Sequence, residues 1–219
     1  MSDGGQITQQ QPQQRSDARR NHAALVAAAE RAFALEGPDV PLDVVVREAG
    51  VGRGTLYRHF SGRVDLAVAV FEEHVSAHEA YADEHIHEPD VLFQLLDRMA
   101  DVHVRIRGVT MVLAREPDAS SRIDHLVSRL RTLFDRTVRR GQEAGLVSPE
   151  ITADDLLLLL GMVEGALVGV PLDQVRDVAD RVVRLVEPAI RTGPGRTLGA
   201  RSVATDGHGR NPDGAATDR

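Results

Sequence analysis

The chain has 219 residues, of which 42% are hydrophobic, 27% charged and 3% aromatic, and its formal net charge is −7. This length suits one large domain or two small ones with an aliphatic core. The absence of cysteine excludes disulfide bonds, zinc–thiolate sites, iron–sulfur clusters and a cysteine nucleophile. It also fits a reducing compartment, so we expect a cytoplasmic protein, and no N-terminal segment resembles a signal peptide.

Both ends of the chain have a composition typical of disorder. Residues 1–15 are polar and rich in glutamine, and residues 192–219 combine Gly, Pro, Asp, Asn and Thr without apolar periodicity. Such segments cannot bury enough apolar surface to offset the loss of chain entropy. The sequence therefore predicts a disordered tail at each end.

Between these segments, the apolar residues recur at helical spacing. A stripe from Leu25 to Phe33 predicts an amphipathic helix that ends at Gly37-Pro38. A shorter stripe runs from Leu42 to Ala49, and Leu56 and Phe60 form the apolar edge of a third short helix. No alternation typical of strands is present, so we predict an all-α fold.

The second part of the chain carries five longer helical patterns. They are predicted at Leu66–Tyr81, Val91–Arg107, Ser121–Ala144, Thr152–Val168 and Gln174–Ile190. The last two are candidates for a dimer interface, because pairing both with their symmetry mates gives a four-helix bundle.

The segment Leu156–Leu172 is apolar except for Glu164, but it is shorter than a spanning helix and has acidic flanks. A helix that is apolar on all sides is better explained by burial between neighbours, or by contact with a second subunit, than by insertion into a membrane. Glu164 in such a helix needs a partner or a shifted pKa.

Residues 41–63 read PLDVVVREAGVGRGTLYRHFSGR and predict a helix-turn-helix. Gly50 supplies the tight turn, and the second helix buries Leu56 and Phe60. This arrangement suits a recognition helix in the DNA major groove. Its candidate DNA-binding residues are Gly52, Arg53, Gly54, Thr55, Tyr57, Arg58 and His59, with Arg63 at the start of the next helix.

The chemistry of these residues matches distinct parts of a DNA duplex. Arg53 can bind a guanine with two hydrogen bonds or pair with a phosphate, and Gly54 lets the backbone approach closely. Thr55, Tyr57 and His59 can donate to phosphate oxygens. Arg63 adds its charge to the N-terminal dipole of its helix.

The run Ala49–Phe60, followed by Arg63 and Leu66, resembles the DNA-binding signature of the TetR family of transcriptional regulators. The preceding helix with Ala29 and Phe33 fits the same family, and the resemblance covers about residues 18–70. One position departs from the family. Val40-Pro41 stands where a Ser or Thr often caps the second helix and touches phosphate.

The resemblance implies a three-helix DNA-binding domain at residues 16–66 and a helical domain at 67–191 that binds a small molecule and dimerises. It implies that Tyr57 contacts phosphate, that Arg63 opens the fourth helix, and that Arg19 belongs to a basic lead-in. It also implies a repressor that a small apolar molecule releases from a palindromic operator.

Candidates for the ligand site are fewer and rest on residue type. Flexible methionines with a few polar groups suit a cavity for a mostly apolar ligand. The candidates are Met99, His103, Arg107, Met111, Phe134, Met162 and Glu164.

The alternative is a metal-sensing regulator of the same fold. His74 and His78 lie one helical turn apart, and Glu73, Glu79 or Asp83 is close enough in sequence to complete a site. The sequence assigns no definite metal ligands and no cofactor. We expect no enzyme activity, because no nucleophile elbow, phosphate loop or catalytic triad spacing is present.

Overall fold

A computed structural model describes residues 7–116, 119–171 and 173–192. In this part of the chain the predicted all-α architecture is confirmed. The helices are α1 Ile7–Glu36, α2 Leu42–Glu48, α3 Arg53–His59, α4 Arg63–His85, α5 Val91–Arg115, α6 Ala119–Glu143, α7 Ala153–Leu167 and α8 Val175–Ile190.

The prediction of disorder over residues 1–15 is wrong for residues 7–15, which belong to α1. Glutamine and arginine are good helix formers, and each residue added to an anchored helix gains one backbone hydrogen bond. At the other end, Thr192 N donates to Leu146 O over 2.9 Å, and the predicted tail from residue 193 onward lies outside the described residues, as do residues 1–6.

The first three helices and the start of α4 form the head of the molecule. Leu25 and Phe33 of α1, Val45 of α2 and Leu56 of α3 are almost fully buried in a shared core. Gly50 joins α2 to α3 with a φ of +67°, a conformation that glycine adopts without steric cost. This turn directs α3 across α1 and leaves its polar face outside.

The remaining helices form the body. A second core unites the C-terminal part of α4 and the N-terminal part of α5 with α6, α7 and α8. Its most deeply buried side chains include Leu92, Leu95, Leu126, Phe134 and Leu156. Thr152 caps α7, since its side chain accepts from Asp155 N and its backbone N–H donates to the Asp155 carboxylate.

Head and body share two helices. The domain boundary predicted between residues 66 and 67 falls inside α4, which continues from the head into the body. Val102, Ile106 and Val109 of α5 are buried in the head core. A structural change in the body can therefore reach the head through packed helices.

Among the described residues, no helix combines the length and apolarity needed to cross a membrane. The leucine-rich α7 is apolar on two faces instead. Leu156, Leu159 and Val163 face the core, while Leu158 and Met162 are mostly exposed.

Candidate DNA-binding surface and effector cavity

The recognition helix α3 is held by its apolar edge. Leu56 and, just beyond its last residue, Phe60 insert into the head core. The residues predicted to read DNA therefore point away from the core. Arg53, Gly54, Tyr57 and Arg58 are exposed, whereas Thr55 and His59 are half-buried.

Two arginines of α3 are engaged with neighbours. The Arg53 guanidinium pairs with the Asp43 carboxylate of α2, a partner that the sequence analysis did not identify. Arg58 donates to Gly54 O over 3.2 Å and to Thr55 Oγ1 over 2.9 Å, so it lies along its own helix. Exposed ion pairs of this kind are weak, and DNA phosphates compete with them readily.

Tyr57 is 60% exposed, so its hydroxyl is accessible to a phosphate oxygen. His59 packs instead against the head, with its ring centroid 5.8 Å from that of His22 and 6.3 Å from that of Phe60. Arg19 is exposed on α1, three residues before His22.

Arg63 opens α4, as the resemblance implies, but it is only partly exposed. Its guanidinium donates to the carbonyl of Pro38, in the loop between α1 and α2. This contact ties that loop to the start of α4. The Pro41 N-cap of α2 has no side-chain hydrogen bond, in agreement with the predicted departure from the family at this position.

The body contains a cavity of about 420 Å³ between α4, α5, α6 and α7. Its wall is largely aliphatic. The polar side chains that line it are His74, His78, His103, Thr110 and Glu164.

The structure brings three of the predicted ligand residues to this cavity, namely Met99, His103 and Glu164. Arg107 and Met111 line a smaller neighbouring cavity of about 140 Å³, which shares Glu164 with the first. The other two predicted ligand residues, Phe134 and Met162, line neither of these cavities. Phe134 is fully buried in the core of the body, and Met162 is 51% exposed on the outer side of α7.

His103 and Glu164 form a pair in the cavity wall. His103 Nδ1 lies 2.8 Å from Met99 O, and its Nε2 lies 3.2 Å from Glu164 Oε1. Because a carbonyl only accepts, Nδ1 carries the proton. The other ring nitrogen, Nε2, faces the Glu164 carboxyl group within ion-pair distance. Glu164 thus has the partner that the sequence analysis required.

His74 connects the cavity to the head. Its Nε2 lies 3.3 Å from Glu30 Oε1 of α1, and Arg105 Nε lies 3.6 Å from the same oxygen. The polar contact with His74, and then the charges of His74 and Arg105, lower the pKa of Glu30 below its ordinary value despite the opposing effect of burial. The sequence could not predict this contact, because α1 and α4 are far apart along the chain.

His78 is the most enclosed polar side chain of the cavity wall, at 6% exposure. Burial, followed by the charges of His74, Arg98, His103 and Arg105, lowers its pKa to about 4. The imidazole is therefore neutral at pH 7. His74 and His78, considered above as metal ligands, both lie in the wall of the cavity.

The structure does not favour the metal-sensing alternative. Among the described residues, no three His, Asp or Glu side chains are placed to hold a metal ion. The carboxylates considered as further ligands have other positions. Glu79 pairs with Arg129 and Asp83 with Arg136, while Glu73 is exposed.

Comparison with known proteins covers both parts of the molecule. Residues 25–70 match the family model of tetR-family bacterial regulatory proteins, and residues 88–191 match the model of the SbtR-like transcriptional regulator C-terminal domain. Together these segments contain the recognition helix and most of the body.

Two curated relatives each match about a quarter of this chain. An uncharacterized HTH-type transcriptional regulator, TtgW, from Pseudomonas putida is 38% identical over 56 residues, which is 25% of this chain and 42% of that protein. An HTH-type transcriptional regulator of Staphylococcus aureus is 36% identical over 59 residues, or 26% of this chain and 32% of that protein. The chain thus spans less than half of the length of these relatives.

Solved structures match over nearly their whole length. A TetR transcription regulatory protein from Mycobacterium vanbaalenii has 29% identity and a TM-score of 0.62, covering 81% of this chain and 98% of that one. A TetR transcriptional regulator from Streptomyces coelicolor has 27% identity and a TM-score of 0.58, covering 78% and 98%. The chain therefore belongs to the TetR family of bacterial regulatory proteins, whose members are DNA-binding transcriptional regulators and not enzymes.

Proposed function

We propose that this protein is a dimeric repressor that binds a near-palindromic operator and is released from it by a small, largely apolar molecule. One observation carries the proposal. An exposed recognition helix stands on a head that shares α4 and α5 with a mostly aliphatic cavity. Since its target is chromosomal DNA, we place the protein in the cytoplasm.

In this proposal α3 enters the major groove. Arg53 leaves Asp43 and contacts a guanine, because an arginine donates two hydrogen bonds to guanine O6 and N7. Tyr57 donates to a phosphate oxygen, and Arg19 and Arg58 supply positive charge to the same backbone. Thr55 and the backbone at Gly52 and Gly54 lie close enough for secondary contacts. His59 and Arg63 support the helix from behind, through α1 and the Pro38 loop.

The dimer interface is assigned to the outer face of α7 and α8. Four large apolar side chains are more than half exposed there, namely Leu158, Met162, Val168 and Leu185. Gly161 and Gly165 lie on the same side of α7 with open space around them, so a second helix can approach the backbone closely. Two copies related by a two-fold axis would form a four-helix bundle from these faces.

Ligand control follows from the shared helices. A molecule that enters the cavity contacts His74, whose imidazole also contacts Glu30 of α1. Any movement of α4 that the ligand imposes thereby changes the position of α1, which supports α3. In a dimer this alters the separation of the two recognition helices, which must be about 34–36 Å to read successive major grooves.

The test is a mobility-shift titration of the full chain at two salt concentrations. The duplex is the DNA upstream of its own gene, or a site selected from random duplexes. We expect Arg53→Ala to reduce preference for the selected site by about 1–3 kcal/mol. Tyr57→Phe should weaken binding to selected and random duplex alike. Asp43→Asn should strengthen binding to both, because it frees Arg53 and removes an acidic group.

Arg139→Ala serves as the control, since Arg139 is exposed on α6, remote from α3. Binding with no preference for any selected sequence over random duplex would refute the regulator. Equal effects of Arg53→Ala on both duplexes would reduce Arg53 to a phosphate contact.

A further inference from the structure

The polar side chains of the main cavity differ in whether they have hydrogen-bond or ion-pair partners within the protein. His103 and Glu164 contact each other, and His103 Nδ1 also contacts Met99 O. Thr110 Oγ1 donates to Arg107 O over 2.9 Å. These groups have partners within the protein, so a ligand must displace an existing contact to use them.

His78 is different. Its side chain is 94% buried, it lines the cavity, and it makes no hydrogen bond to any described residue. A buried imidazole without a hydrogen-bond partner is costly unless something else satisfies it. His74 Nε2 also lacks a hydrogen-bond partner, but it lies 3.3 Å from Glu30 Oε1. Among the described polar side chains of the cavity wall, His78 is thus the one with no partner in contact.

The charges around His78 indicate which ligand group it receives. His74 on α4 and Arg98, His103 and Arg105 on α5 all act on it as basic neighbours. The acidic groups facing this region from other elements, Glu30 of α1 and Glu164 of α7, are already in contact with His74 and His103 respectively. An anion beside His78 therefore gains from its surroundings, while a cation is repelled.

We propose that the cavity binds an amphipathic organic acid, an apolar molecule with one acidic group, and that His78 pairs with this group. This rests on the proposed function, in that the cavity is taken to be the effector site. The volume of about 420 Å³ and the aliphatic wall accommodate the apolar part. Because His78 is the polar side chain of the wall with no partner in contact, one polar group of the ligand suffices for recognition.

If His78 pairs with a carboxylate, ligand binding should be accompanied by proton uptake, which can be measured. Free in solution at pH 7, the ligand is a carboxylate and His78 is neutral, with a pKa of about 4. Beside the carboxylate, the imidazole gains an opposite charge and its pKa rises. Each ring that becomes protonated takes its proton from solvent, and its imidazolium N–H donates to the carboxylate. No other bond forms or breaks.

The experiment is calorimetric titration of the full chain with decanoic acid, 1-decanol and decylamine. These probes share a ten-carbon chain and carry an anionic, a neutral and a cationic group. We expect decanoate to bind at least about tenfold more tightly than decanol, with decylamine weakest. Titrations in buffers of different ionisation enthalpy should show a partial proton uptake per decanoate at pH 7 that increases towards pH 6, with affinity falling as the pH rises.

Two variants assign the effect. His78→Gln, which keeps a neutral hydrogen-bonding group, should abolish the proton uptake and the preference for decanoate. His125→Gln changes an exposed histidine on α6 and should leave both unchanged. Circular dichroism of each variant checks the fold.

Several results would overturn the inference. The first is that decanol binds as tightly as decanoate, and the second is that no probe binds. The third is that decylamine binds most tightly, which would assign recognition to Glu164. The fourth is that proton uptake persists in His78→Gln. Operator release is measured separately. Proton-linked binding of decanoate without any release of operator DNA would reject the ligand-controlled repressor and keep the binding site. Equal release of operator DNA by decanol and decanoate would keep the ligand-controlled repressor and reject the recognition of an acidic group by His78.

Discussion

The imidazole of His78 lies in a wall of aliphatic side chains, and its proton equilibrium links the cavity to the stability of the fold. Because its pKa is lowered from 6.5 to about 4, the unfolded chain binds a proton at this position that the folded chain does not. The free energy of unfolding therefore decreases as the pH falls from 6.5 towards 4. The lowered pKa of Glu30 acts in the same direction, but only below its ordinary value of 4.5.

We expect the His78 contribution to amount to about 2 kcal/mol between pH 7 and pH 5. Urea unfolding of wild type and His78→Gln at these two values tests it, and the variant should lose that part of the pH dependence. His125→Gln should keep it. An unchanged pH dependence in His78→Gln would show that the buried imidazole does not titrate as described.

At the scale of elements, α5 passes close to α1 at one glycine. A Cβ on Gly108 would lie 2.0 Å from the carbonyl oxygen of Phe33, which is backbone and cannot turn away. Gly108→Ala is therefore expected to force α1 and α5 apart. This cost exceeds the gain of about 1 kcal/mol in helix propensity.

Thermal or urea unfolding should show a loss of about 1–3 kcal/mol for Gly108→Ala. Gly54→Ala is the matched control, since nothing lies within 4 Å of its Cβ position. If Gly108→Ala were as stable as wild type, the close approach of head and body helices would be wrong.

The contact between His74 of α4 and Glu30 of α1 makes a second prediction at this scale. If it transmits the state of the cavity, His74→Gln and Glu30→Gln should each weaken operator binding by a similar factor of about five. The double variant should weaken it no further, because both changes remove one contact. Glu73→Gln, an exposed neighbour of His74, should have no effect, and additive losses in the double variant would contradict a shared contact.

At the scale of the whole molecule, the outer face of α7 and α8 decides whether the two recognition helices are held at operator spacing. Met162→Glu places a charge in the centre of this face, where it would meet its own symmetry copy. We expect sedimentation velocity to show a monomer, with much weaker operator binding. Ala80→Glu adds the same charge to an exposed site on α4 and should leave the dimer intact; a dimeric Met162→Glu protein would place the interface elsewhere.

The sequence by itself determined the helices and the recognition motif. Helical periodicity is a local property, and the segment from Ala49 to Phe60 combines its turn glycine, apolar edge and arginine within a dozen residues. Sequence was less informative at the N-terminus. There the polar residues around Gln9 predicted disorder, although α1 begins at Ile7. Polar composition does not prevent a helix that grows from an anchored segment.

Only the tertiary structure decided what each helix faces. Periodicity places Met99 and Phe134 on apolar faces, but which of them borders a cavity depends on how α5 and α6 are rotated and how closely they pack. The same holds for the contacts of Asp43 with Arg53 and of Glu30 with His74, which join separate helices. These pairings arise when helices cross, and spacing along one helix carries no information about its neighbour.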